Sequence, residues 1–373
     1  MMDANLIPAL DAAGIPGPEW LFHLLLVFTF FLHLVFVNLT LGGTILAFIA
    51  HLRAGGRADD PNGVLAGRMM GVNAYGISLA ITTGVAPLLF IQLIYQQYFY
   101  SGTILLGWLW FGFLILLMAG YYAAYLFKFR GAPSRGTGGG VWLGVSAACF
   151  LLIAMTHVAV HLIHTQPAKW PQFAVNPLAV LGDATYWPRL LHFVLAGIGF
   201  AALVIAWWAA RRAAAGEEVE LNTAIAKSGW RWALWTTAAQ VMDGVILLVV
   251  LPRDVIMGIM SGGVATLIPL TLSILLAVGL LMMLARSMNP VEHRGLITGA
   301  LAAMVLTIAV MSITRHQVRI LYLDPVASQY QLQAVPQWGN FALFVVLLVI
   351  GLATVAYMVK RVLTEPATGD EAA

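Results

Sequence analysis

A chain of 373 residues that is 61% hydrophobic and 9% charged, with mean hydropathy +0.89, carries too little charge to be a soluble domain of that size. Its net charge of +3 does not point to nucleic acid, because the basic residues follow loop position rather than forming one basic face. The single cysteine, Cys149, lies in an apolar run, which excludes both a disulfide framework and a C-x-x-C-H attachment site.

In chain order, the first nineteen residues hold Asp3, Asp11 and Glu19 but no Lys or Arg. They lack the basic start of a secretory signal, so the first apolar run reads as a retained helix. Nine runs are long enough to span a bilayer, near 20–51, 69–98, 103–129, 141–165, 188–210, 231–251, 264–285, 295–317 and 338–359. The expected fold is all-α: one polytopic transmembrane domain over 1–373, with spans 1–4 and 5–8 as two four-helix units and span 9 extra. The segment 131–140, GAPSRGTGGG, reads as a short flexible turn.

Alternate loops carry Arg53, Arg57 and Arg68; Lys128, Arg130 and Arg135; Arg211, Arg212, Lys227 and Arg231; Arg286 and Arg294; and Lys360 and Arg361. The other side holds Lys169, Arg189, Arg253, Arg315 and Arg319. The positive-inside rule therefore places the N-terminus outside and the C-terminus in the cytoplasm. The longest outer loops, about 166–187 and 318–337, are rich in Pro, Trp, Tyr and Gln and suit an interfacial cap or docking surface.

With that topology, seven of the nine histidines share the outer half. The segment MTHVAVHLIHTQ puts His157, His161 and His164 on one face of span 4, within about 60° of arc and roughly 10 Å of rise. His23 lies near the outer end of span 1 and His33 about 15 Å deeper. His192 is one turn into span 5, and His316 is expected at the outer end of span 8. His51 and His293 fall at cytoplasmic ends. A lone intramembrane histidine is readily a helix–helix hydrogen-bonding group. A column of three with His33 and His192 implies a shared ligand.

Zinc and copper sites recruit carboxylates or thiolates, and the membrane interior offers only Asp243 and a cysteine at another depth. A cation path would need polar groups in both leaflets. Haem fits better: it needs one or two imidazoles, an apolar slot, and cations for its propionates. Arg189 stands three residues before His192, and Arg315 and Arg319 flank His316, as propionate partners would. Interfacial snorkelling is the plainer reading of each arginine taken alone. Asp243, with Gln240 in span 6, is either a protonated structural group or a proton relay. Asn73, Tyr75 and Gln92 are candidates for a quinone pocket or for helix–helix contacts.

Two segments carry a family resemblance. HLVFVNLTLGG, opening at His33, resembles the first helix of subunit I of the cytochrome bd quinol oxidases, where that histidine serves a haem of the oxygen-reducing site. WPRLLHFVLAGIGFAALVIAWW places His192 as the family places its low-spin haem b ligand. TTGVAPLLFIQ and TQPAKW…NPLAV are weaker echoes. Departures are as informative. Span 3 lacks the family's glutamates, and the quinol loop shrinks to about PRDVIMGIMSGG. The glutamate ligand and G-R-Q-P-W stretch give way to ITRHQVR, and only Met257 and Met260 offer substitutes for the methionine ligand. Carboxylates have gone and histidines have come in, and paired imidazoles suit electron transfer more than oxygen binding.

The expectation is a multi-pass subunit of a bacterial inner membrane, related to subunit I of cytochrome bd and binding two or three haem b. It would move electrons between the quinone pool and a periplasmic redox partner such as a c-type cytochrome. Axial candidates are His33, His192, His157, His161, His164, His316 and His23, with His157 matching His33 in depth. The resemblance implies a second bd-like membrane subunit. The alternatives are a terminal quinol or cytochrome c:oxygen oxidase subunit, a His-lined metal-ion transporter, and a haem-free membrane anchor.

Overall fold

The computed structural model describes residues 7–10, 13–57, 59–130, 139–327 and 332–364. Asp3, Asp11, Arg135 and all but the last two residues of the 131–140 turn lie outside the described residues. Twelve α-helices follow in order among them: α1 (Glu19–Arg53), α2 (Pro61–Ile94), α3 (Gln96–Leu106), α4 (Trp108–Arg130), α5 (Gly139–Thr165), α6 (Trp170–Val175), α7 (Tyr186–Ala214), α8 (Val219–Val250), α9 (Arg253–Ser261), α10 (Leu267–Ala285), α11 (Arg294–Ala327) and α12 (Trp338–Thr364). Nine of these are long and apolar enough to cross a membrane: α1, α2, α4, α5, α7, α8, α10, α11 and α12.

The helices pack as two groups. α1, α2, α4 and α5 form one and α7, α8, α10 and α11 the other, and α1 joins them by packing on α7 and α11. Lipid is as apolar as leucine, so close approach of small residues rather than transfer from water holds such helices together. The α1–α7 crossing rests on Gly42 and Gly197: a Cβ on Gly42 would lie 1.9 Å from the Gly197 carbonyl oxygen. On α7, Ala201, Ala202, Ala206, Ala209 and Ala210 are fully buried and let α8 approach so closely that a Cβ on Gly229 would meet the Ala202 carbonyl oxygen. The most hydropathic stretch of α12 buries none of its residues, leaving it on the periphery.

Several boundaries differ from the hydropathy reading. α2 starts at Pro61 rather than near 69, because Asp60 caps it by accepting from the Asn62 N–H and Pro61 fits the first turn. The run from 96 to 130 is two helices, α3 and α4, parted at Gly107, whose φ of +58° suits glycine. α8 begins at Val219 rather than near 231, as Asn222, Ile225, Ala226 and Gly229 already bury one face below the apolar run.

The largest correction concerns α11, which continues to Ala327 and takes half of the expected 318–337 loop. Ser312, His316, Arg319, Leu323 and Val326 recur at helical spacing and are all buried. His316 therefore lies about 16 Å inside the helix end rather than at it. The remainder of that connection meets the N-terminal segment, with Ile15 N–H donating to the Gln333 carbonyl at 2.8 Å and Val335 N–H to the Ile15 carbonyl at 2.8 Å. In the 166–185 connection, Trp170 and Phe173 are buried and Lys169 pairs with Asp183 at 2.7 Å. Burial opposes the Asp183 charge, but Lys169 and two Thr185 hydrogen bonds outweigh it and hold its pKa at about 2.

Candidate functional site

The first part of α1, the last parts of α5, α8 and α11 and the first part of α7 make up one half of the bundle. Seven histidines and three arginines fall there. His161, His164, His316 and Arg319 are 5%, 1%, 5% and 3% exposed, whereas His51 and His293 lie at the opposite end.

The first grouping joins α1 and α11. His23 Nδ1 and His316 Nε2 are 2.9 Å apart, and His23 Nε2 is 3.2 Å from Glu19 Oε1. A carboxylate only accepts, so in a neutral His23 the Nε2–H donates to Glu19 and Nδ1 accepts from His316 Nε2–H. That leaves His316 Nδ1 with a lone pair, buried and without a partner among the described residues. Arg319 lies over the Tyr95 ring at 5.4 Å, and among the described residues neither its Nε nor the Tyr95 hydroxyl has a hydrogen-bond partner. Arg315 lies over the Phe30 ring at 4.5 Å, and Arg189 donates to the Thr185 and Tyr322 hydroxyls at 3.3 Å. None of the three guanidiniums forms an ion pair among the described residues. A small cavity between α1 and α11, lined by Val27, Phe30, Ser312, Arg315, His316 and Arg319, is about 10 Å³.

The second grouping is on α5. His161 and His164 rings lie 5.1 Å apart, and both feel the charges of Arg315 and Arg319. His164 Nδ1 is 3.1 Å from the Val160 carbonyl, so it carries the proton, and its buried Nε2 keeps a lone pair with no partner among the described residues. His157, two turns from the end of α5, follows the same pattern, with Nδ1 2.8 Å from the Ile153 carbonyl and its ring between Trp110 and Phe113 of α4. His33 donates from Nδ1 to the Ala80 carbonyl of α2 at 3.0 Å and seats its ring on Gly84, where a Cβ would lie 2.8 Å from Cε1. It is within electrostatic reach of His157.

His192 faces α8 instead. Its Nδ1 is 3.2 Å from Asp243 Oδ2, and its Nε2 is 3.3 Å from the Gln240 side-chain amide nitrogen. An amide NH₂ only donates, so Nε2 accepts and Nδ1 holds the proton given to the carboxylate. Four imidazoles, His33, His157, His164 and His192, thus have Nδ1–H pinned and the Nε2 lone pair turned outward from that anchor. Metal-ligating histidines are held in this tautomer. The unpartnered nitrogens and guanidinium suit a haem's iron and propionates. Among the described residues no group of three His, Cys, Asp or Glu could hold a bare ion.

Some groups stand apart. Met257 and Met260 on α9 are exposed. Asn73 is fully buried and donates to the Thr40 carbonyl and Thr44 hydroxyl, which makes it a helix–helix contact rather than a pocket wall. Tyr95 and the Trp110–Phe113 pair were not singled out by sequence, and Gly84 stood out only within the TTGVAPLLFIQ echo. They are apolar or small residues in apolar runs, and only helix adjacency gives them a role.

No protein-family model and no curated protein matches the chain. The structure of bd oxidase from Geobacillus thermodenitrificans is similar with a TM-score of 0.75, over 93% of this chain and 99% of that chain, at 12% identity. At such identity the likeness is one of fold, and with nine apolar spans among its described residues this chain is a multi-pass membrane protein with the fold of a bd oxidase chain.

Proposed function

We propose that the chain is a haem b-binding membrane subunit that moves electrons between the quinone pool and a periplasmic redox partner such as a c-type cytochrome. The observation that carries this reading is the shared state of His33, His157, His164 and His192: Nδ1 anchored and Nε2 carrying the lone pair. Bound haem would supply a one-electron couple. His33 and His192 are the principal axial candidates. His157, His161, His164, His316 and His23 are candidates for the second positions. Arg189, Arg315 and Arg319, buried or half-buried without carboxylates, would neutralise propionates. The cavity at Arg315, His316 and Arg319 is only about 10 Å³, so side chains there would have to part for a porphyrin to seat against them. In a bacterial inner membrane, the basic residues of alternate loops favour a cytoplasmic C-terminus and a periplasmic histidine-rich end. A second bd-like subunit is the expected partner within the membrane.

The likeness to a bd oxidase favours a second reading, a terminal oxidase subunit with one open iron. Reduced-minus-oxidised spectra, a pyridine haemochrome count and carbon monoxide added to the reduced protein separate the two. More than one haem b per chain with no carbon monoxide shift is the expected result. A carbon monoxide shift makes the oxidase reading correct. Absence of haem overturns both.

A further inference from the structure

Three of the four anchored imidazoles use a backbone carbonyl: Ala80 for His33, Ile153 for His157 and Val160 for His164. His192 alone uses a carboxylate. We propose that Asp243 is a positioning residue that holds His192 with Nε2 toward iron and lowers the reduction potential of the haem at that site. The inference rests on the haem reading above.

Asp243 is 4% exposed on a helix whose neighbouring Met242, Val245 and Ile246 face outward. A carboxylate inside a membrane span is costly unless it is partnered. Its hydrogen-bond partner here is His192, on the adjacent helix α7. Gln240, one turn earlier on the same face of α8, supplies the amide at Nε2. Gly244 completes the seat, because a Cβ there would already be at van der Waals distance, 3.4 Å, from His192 Cε1. α8 therefore fixes both the tautomer and the ring direction. Once Nε2 binds iron, the Gln240 amide has no lone pair left to meet, whereas the bond to Asp243 stays. A carboxylate on Nδ1–H makes the ligand more basic and favours ferric over ferrous iron. A carbonyl does so less, because it carries no net charge.

The test is a spectroelectrochemical titration of the purified full complex carrying wild-type chain, Asp243→Asn or Asp243→Glu. The haem component lost in His192→Ala identifies the site. Asn keeps an acceptor for Nδ1–H and removes the charge. We expect Asp243→Asn to keep its haem while the reduced-to-oxidised ratio of that component rises about tenfold at fixed potential, which is about 59 mV for one electron. Asp243→Glu should return it toward wild type, and the other haems should not move. Loss of haem from Asn with retention in Glu also supports the carboxylate. An unchanged potential in Asn overturns the inference, as does loss from both variants with the other haems intact, which makes Asp243 a packing group. A wild-type chain without haem overturns the proposed function itself.

Discussion

A neutral imidazole offers one lone pair, and the neighbour that takes its proton decides which nitrogen carries it. Spacing of four and three along α5 made the histidine column legible from sequence. For His157 and His164 the anchors were local too, since each donates to the carbonyl four residues back. The anchors of His33 and His192 come from other helices, 47 and 51 residues away, and no spacing rule reaches them. The same limit applies to Arg319. Its closeness to His316 was visible in ITRHQVR, but its burial with an unpartnered Nε was not. A buried cation without a counter-charge opposes folding until a ligand compensates it. Arg319→Met is therefore expected to stabilise the haem-free protein by about 1–4 kcal/mol and to weaken haem retention. Thermal unfolding in detergent before and after haem loading checks both signs, and a loss of stability in both states would mean that Arg319 is structural.

At the scale of the element, hydropathy located nine spans and misplaced some of their ends, chiefly the starts of α2 and α8 and the end of α11. A window of apolar residues ends at the first charge, whereas a helix ends where its backbone loses partners. α11 runs past Arg315 and Arg319 because Leu323 and Val326 continue the buried stripe. α3 and α4 separate at Gly107 inside an unbroken apolar run because φ turns positive. Close crossings are also invisible in a hydropathy plot. Gly42→Ala is expected to cost about 1–3 kcal/mol or more as an overpacked contact, because its Cβ meets backbone at Gly197 rather than a side chain that can swing away. Gly67→Ala on α2, with nothing within 4 Å of the new Cβ, should be neutral or gain up to about 1 kcal/mol from helix propensity. Paired melting curves of the two variants test this, and equal behaviour would mean that α1 and α7 can separate freely.

For the whole molecule, the distribution of Lys and Arg predicts sidedness. Alkaline phosphatase fused after residue 364 should be inactive and a fusion in the 166–185 connection active, with reporter activity in intact cells as the measure. The reverse pattern would put the histidine-rich end in the cytoplasm and remove the periplasmic partner. Composition and periodicity by themselves determined that this is an all-helical membrane protein and that most of its imidazoles, with Arg189, Arg315 and Arg319, gather toward one end of its spans. Those properties follow from the solvent, since lipid demands apolar length and makes every polar exception visible. Only tertiary structure decided which of these groups meet: His23 with His316, His161 with His164, and His192 with Asp243 and Gln240. Helix adjacency depends on close packing of small residues such as Gly42 and Gly197, and those contacts leave no periodic mark on the chain.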